Sequence, residues 1–132
     1  MDKKLTKKET AAQNLFIEKL DIKKRKTSKS IVIAIIGLVG SGKSSVALEL
    51  GELIGATIIE SDSVRIELRK QGESYEKSRI IVENATAKVI KRGGNVVVDS
   101  DFVDKKKRED ICKRMLKVGA SIFFIRVYCD MI

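Results

Sequence analysis

The sequence predicts an α/β domain built on a parallel sheet, and three observations carry that expectation. Short β-branched runs recur at Ile31–Ile36, Ala56–Glu60, Asn95–Asp99 and Ser121–Tyr128. Between them lie segments with helical spacing, long enough to cross over and return to the same sheet in the right-handed sense. Directly after the first run stands the glycine-rich octapeptide Gly37–Ser44, which reads Gly-Leu-Val-Gly-Ser-Gly-Lys-Ser. A strand, a glycine-rich turn and a helix start in that order are what phosphate binding by backbone N–H groups requires.

The elements follow in chain order. Leu5 to Ile22 places Ala12, Leu15, Phe16 and Leu20 at helical spacing, so a short amphipathic helix is expected to pack on the domain or on a partner. Lys23–Ser30 has no apolar period and reads as a polar linker. The first strand, Ile31–Ile36, leads through the loop into a helix from about Gly42 to Ile54, which Gly55 stops. Ala56–Glu60 is the second strand. Ser61, Asp62 and Ser63 can cap a helix running to about Lys70. A longer helix spans roughly Tyr75 to Lys91, with Ile80, Ile81, Val89 and Ile90 inward, and Gly93 and Gly94 end it. The third strand is Asn95–Asp99. Asp104–Val118 is helical, with Ile111, Met115, Leu116 and Val118 as its apolar stripe, and Ser121–Tyr128 is the fourth strand. Domain organisation reads as a basic helix and linker over 1–30, followed by a nucleotide-binding domain over 31–132.

Within the octapeptide, glycines let the backbone close around an anion, and the positive end of the helix dipole adds to the field. Gly37, Val39, Gly40, Ser41, Gly42, Lys43, Ser44 and Ser45 are therefore the expected contacts of a nucleoside triphosphate. Lys43 is expected to reach the β- and γ-phosphates, and the Ser44 hydroxyl to sit on Mg2+. Ligands of open parallel sheets bind beyond the carboxyl ends of the strands. Ile36, Glu60, Asp99 and Tyr128 mark those ends, so Asp62, Arg65, Asp99 and Asp101 fall on the same edge as the loop.

Asp62 is the best placed carboxylate to orient or deprotonate an acceptor hydroxyl, and Arg65, at i+3, suits capture of an anionic group on the acceptor. A second reading stays open, in which Asp62 caps its helix and Arg65 is a surface residue. Asp99 ends an all-valine run and suits Mg2+ or its water shell; the alternative is a strand-end carboxylate that makes a turn. Asp101 is a weaker second choice. Lys105–Arg108, at the start of a helix where positive charge opposes the dipole, is either a solvated face or a patch for an anionic acceptor.

The 132 residues allow one domain with a real core, and 43% apolar with 34% charged residues is a globular composition. No apolar stretch approaches the ~20 residues of a membrane span, and no secretory signal is evident, so a cytoplasmic protein is expected. Cys112 and Cys129 lack metal spacing and read as reduced thiols. Histidine is absent, so a general base has to be a carboxylate and zinc chemistry is disfavoured. The net charge of +9 is uneven: residues 1–29 hold ten Lys/Arg against four Asp/Glu. That basic segment reads either as a solvated, partly frayed arm or as a contact for nucleic acid, although no stacking aromatics interleave with its lysines.

Gly37–Ser44, Glu60–Arg65 with Glu67 and Leu68, and Val96–Phe102 through Arg108 together resemble the small P-loop kinases. The nearest are the polynucleotide 5′-hydroxyl kinase and adenylylsulfate kinase group, with the zeta-toxin-like proteins grouped beside them. The resemblance covers about residues 31–130. It implies a P-loop, three-layer sandwich with strand order 2-3-1-4-5, ATP and Mg2+ as ligands, Asp62 acting on the acceptor hydroxyl and Arg65 holding the acceptor. Family members continue past the fourth strand into a lid carrying arginines, a fifth strand and a segment that cups adenine. The sequence here reads to Ile132, so the expectation is a domain without that lid, its apolar fourth strand left as an edge open to self-association. Two functions follow: a kinase acting on a hydroxyl of a nucleotide, nucleic-acid end or small metabolite, or a non-catalytic nucleotide-binding module acting through a partner. A GTPase switch is disfavoured because no Asn-Lys-x-Asp segment occurs.

Overall fold

A computed structural model of the chain describes residues 4–37, 42–99 and 104–127. The elements run α1 (Lys7–Glu18), β1 (Ile31–Ile36), α2 (Lys43–Ile54), β2 (Ala56–Glu60), α3 (Ser61–Lys70), α4 (Ser78–Lys91), β3 (Asn95–Asp99), α5 (Lys105–Lys117) and β4 (Ser121–Arg126). The strands form one parallel sheet in the order β2-β3-β1-β4. That is the order the resemblance implied for the first four strands.

Alternation along the strands divides the interior into two cores. Val32, Ala34 and Ile36 of β1 and Val96 and Val98 of β3 face one side, where they meet Ile81, Val82, Ala85 and Val89 of α4 and Ile111 and Met115 of α5. Ile33, Ile35 and Val97 face the other side, against Ala47 and the partly buried Val46, Leu50 and Ile54 of α2. Both faces of β1 and β3 are thus covered, which is why these strands read as unbroken apolar runs instead of alternating ones. Among the described residues β4 has a strand neighbour on one side only, and its Phe123 is 54% exposed.

α1 is closed at its start by a reciprocal pair of hydrogen bonds: Glu9 N–H donates to Thr6 Oγ1 at 3.1 Å, and Thr6 N–H to Glu9 Oε1 at 2.8 Å. Its Ala12 and Phe16 are buried in the larger core together with Val64 and Leu68 of α3. Leu15, expected on the inner face, is 39% exposed.

The segment after α1 is docked, in contrast to the frayed arm expected of a lysine-rich stretch. Lys23 N–H donates to Thr57 Oγ1, and Lys26 N–H to the Ile54 carbonyl at 2.9 Å. Two structural residues account for this. Gly55 ends α2 at φ +66°, and a Cβ there would lie 2.1 Å from the Lys24 carbonyl oxygen. Gly55→Ala is accordingly expected to cost about 2–4 kcal/mol through left-handed strain and displacement of the linker. The shift of its urea midpoint at unchanged slope measures that loss.

Asn95 is the second. It is fully buried, its Oδ1 accepts from Ile31 N–H at 2.7 Å, and its Nδ2 donates to Thr27 Oγ1 and to the Ile54 carbonyl at 3.0 Å each. One side chain thus ties the linker, the end of α2 and the start of β1. Asn95→Ala takes the acceptor from Ile31 N–H, while the Ile54 carbonyl keeps Lys26 N–H, and is expected to cost about 1–3 kcal/mol. Calorimetric melting would register it as a fall in Tm; an unchanged Tm would mean that water replaces the amide.

Three sequence expectations are corrected. α3 begins at Ser61 with Glu60 at its N-cap and no capping side chain, so Ser61, Asp62 and Ser63 lie inside the helix. The strand runs straight into the helix, leaving no loop in which a cap could sit. α4 starts at Ser78, not Tyr75; Gly72 at φ +73° follows α3, and Tyr75 instead accepts a hydrogen bond from Arg69 Nε. Leu116 is 73% exposed, because it lies one position past Met115 and off the Ile111–Met115 stripe.

Candidate active site

The end of β1 and the start of α2 bracket the expected phosphate loop. Gly37 follows β1 and is half-buried, and Gly42 forms the N-cap of α2 at φ +87°, a backbone conformation that favours glycine. Val39, Gly40, Ser41 and Asp101, and with them Tyr128 and Cys129, lie outside the described residues.

Asp99 is the last residue of β3, in register with Ile35 of β1 on one side and Glu60 of β2 on the other. The two-residue period puts it on the same face as Val97, the face covered by α2. Its carboxylate is therefore delivered beneath the first turn of that helix. Asp99 Oδ1 lies 3.1 Å from Lys43 Nζ, and Asp99 Oδ2 accepts a hydrogen bond from Ser44 Oγ at 3.4 Å. The Lys43 and Asp99 side chains are 18% and 9% exposed, so the pair is largely shielded from solvent. Ser45 is exposed on the same turn. The structure thus brings Asp99 together with Lys43 and Ser44, from which it lies far apart in sequence. Hydroxyl and carboxylate oxygens are the hard donors that Mg2+ takes. Among the described residues there is no group of three or more His, Cys, Asp or Glu able to hold a metal ion.

Asp62 and Arg65 meet on the first turn of α3, where Arg65 Nη1 donates to Asp62 Oδ1 at 2.7 Å. The Asp62 side chain is 84% exposed and that of Arg65 31%. Asp62 does not cap α3, which removes the capping half of that alternative, and its charge lies near the positive end of the helix. Lys105 and Lys106 are exposed at the start of α5, where the Asp104 carboxylate accepts from Lys106 N–H at 2.9 Å and supplies the cap.

Cys112 is a free thiol, and burial pushes its pKa up, which disfavours the reactive thiolate. Glu83, held between Arg79 of its own helix and Arg114 of α5, has its carboxyl raised because burial outweighs both guanidinium groups. These are packing groups of the α4–α5 layer. Glu67 is a residue whose role the spacing alone does not display. It sits on the inward stripe of α3 between Val64 and Leu68, and a carboxylate on such a stripe is the one available signal.

The fold and the loop–strand constellation define a P-loop, kinase-like nucleotide-binding domain. A model of the family described as AAA domain matches residues 32–131, and the chain belongs to that family, which falls in the small P-loop kinase group. The cytidylate kinase of Caldanaerobacter subterraneus subsp. tengcongensis is 30% identical over 102 residues, covering 74% of this chain and 46% of that protein. The chain therefore spans about half the length of that relative. In three dimensions it is similar to a chain of the PezAT toxin-antitoxin system of Streptococcus pneumoniae, with TM-score 0.72 and 14% identity over 96% of this chain and 57% of the other. It is also similar to the APS kinase CysC of Mycobacterium tuberculosis, with TM-score 0.58 and 24% identity over 80% and 78% of the two chains. Among the described residues no helix is long and apolar enough to cross a membrane.

Proposed function

We propose that this chain forms the donor-binding part of an ATP- and Mg2+-dependent kinase that moves the γ-phosphate to a hydroxyl of a nucleotide, a nucleic-acid end or a small metabolite. The observation that carries the reading is the convergence of Lys43, Ser44 and Asp99 at the carboxyl ends of β1 and β3. Phosphoryl transfer asks the protein for positioning and charge neutralisation more than for covalent chemistry. Lys43 would exchange its partner Asp99 for the β- and γ-phosphates, and the backbone N–H groups after Gly37 would hold the rest of the triphosphate. Ser44 and Asp99 would hold Mg2+, a small ligand share that suits an ion bound mainly through phosphate oxygens and water. Held there, that ion would supply positive charge against the phosphate oxygens.

Asp62 would then take or align the acceptor proton, and Arg65 would hold an anionic group of the acceptor. Kinase names among the relatives support the reaction class, and the exposed Asp62–Arg65 pair supports an acceptor side. The deciding experiment supplies the chain with ATP labelled at the γ-position, Mg2+ and three acceptor types: a nucleoside monophosphate, a 5′-hydroxyl oligonucleotide and small alcohols. Label is expected on one acceptor type. Saturable ATP binding with no transfer to any of them would instead assign a binding module, and absence of ATP binding would overturn both readings.

A further inference from the structure

Away from the phosphate loop, an open cleft of about 340 Å³ lies between the end of α1, the edge strand β2 and one face of α3. Its apolar wall comes from Phe16, Leu20, Ile58 and Ile66, and its polar side from Glu60 and Glu67. A cleft of this size takes a small molecule, not a protein segment.

Glu67 makes the cleft chemically specific. Its side chain is only 6% exposed, and two ammonium groups crowd one of its oxygens: Lys19 Nζ at 2.8 Å and Lys70 Nζ at 3.1 Å, both on Oε1. Oε2 is buried and has no hydrogen-bond partner. A carboxylate with one oxygen doubly paired and the other empty lacks a donor. The Lys19 hydrogen bond holds this carboxyl below the usual carboxylate range, so it carries its charge at neutral pH. Lys19 is 60% exposed on a flexible stem, and can swing aside. Glu60 lies on the rim as an exposed carboxylate at the end of β2, and Asp21 adds a third, already paired with Lys23. The cleft lining carries three carboxylates and one ammonium, that of Lys19, while Lys70 and Lys23 pair Glu67 and Asp21 from outside it and leave Glu60 on the rim.

We propose that this cleft is a binding site for a small primary amine with an apolar body, whose ammonium group pairs with Glu67 while its carbon frame lies against Phe16, Leu20, Ile58 and Ile66. The site uses none of the residues assigned to phosphoryl transfer, so it stands or falls separately from that reading. It flanks α3, the helix that bears Asp62 and Arg65 on neighbouring positions.

The test titrates the full chain with phenethylamine, followed by amide and methyl chemical shifts, with phenylpropionate as the probe of equal shape and opposite charge. Saturable binding of the amine at about millimolar Kd or tighter is expected, with shifts at Phe16, Lys19 and Ile66, and none for the carboxylate. Glu67→Gln is expected to weaken the amine at least about tenfold. Should that variant fail to fold, Ile66→Arg serves in its place: the position is exposed, and a guanidinium across the cleft should abolish binding without touching the buried carboxylate. No saturable shift with the amine, equal binding of phenylpropionate, or unchanged affinity in the folded variant would each overturn the proposal.

Discussion

Lys43→Ala is expected to lower phosphoryl transfer by at least about 10²–10³-fold, the cost of deleting one preorganised charge from a site where charge develops. Triphosphate affinity should fall as well, by roughly tenfold or more, because a charge-assisted contact to phosphate contributes about 1.5–3 kcal/mol. The structure adds a complication that has to be separated from function. Lys43 is the ion-pair partner of Asp99, whose side chain is 9% exposed, so the alanine variant leaves a mostly buried carboxylate without its cation. Breaking a fully buried pair costs about 3–5 kcal/mol; with Lys43 still 18% exposed, roughly 2–3 kcal/mol is expected here. A second substitution resolves the two effects. Asp99→Asn in the Lys43→Ala background removes the uncompensated charge, so chemical denaturation should recover most of the lost stability while transfer stays lost. Recovery of transfer together with stability would mean that Lys43 acts only as a structural counter-ion.

Much of this arrangement was legible in the sequence because it follows from local periodicity. The runs Ile31–Ile36 and Asn95–Asp99 are apolar on both faces, and that pattern already implies a strand covered by helices on both sides. Asp99 could be placed from its position alone, since a strand-end residue in register with a neighbouring strand has only two faces to choose between. What periodicity does not encode is long-range pairing between polar groups. The hydrogen bonds of Asn95 to Ile31, Thr27 and Ile54 depend on where α2 ends relative to two strands, and no spacing displays that. The docking of Lys23–Lys26 along the end of α2 was hidden for the same reason: a lysine-rich stretch looks solvated, although its backbone makes the contacts. The start of α3 differs because capping residue types are a statistical signal, overridden where a strand feeds directly into a helix, and that of α4 because Tyr75 is held by Arg69 ahead of the helix. Glu67 falls within a motif that assigns it no role, and its pairing with Lys19 of α1 exists only in the folded chain.

Asp62→Asn tests the acceptor side, with an expected fall in turnover of about 10²–10⁴-fold, the usual contribution of a positioned acid–base group. Three features make this substitution interpretable. The Asp62 side chain is 84% exposed, so no buried charge or cavity is created and stability should move by less than about 1 kcal/mol. The amide oxygen of asparagine can still accept from Arg65 Nη1, which keeps the 2.7 Å contact in place and the arginine oriented. Asp62 makes no capping bond to α3, so the helix start is not disturbed. Affinity for ATP, read by equilibrium titration, is therefore expected to stay within about twofold of the parent chain. Loss of transfer with retained binding and retained stability would place Asp62 on the acceptor hydroxyl. Unchanged transfer would reduce the pair to a surface contact, the outcome expected of most exposed i,i+3 ion pairs. Arg65→Ala sharpens the distinction, because a residue that holds an anionic acceptor raises KM for that acceptor more than it lowers kcat. A matching rise in KM for ATP would move Arg65 to the donor side and leave Asp62 as the lone acceptor group.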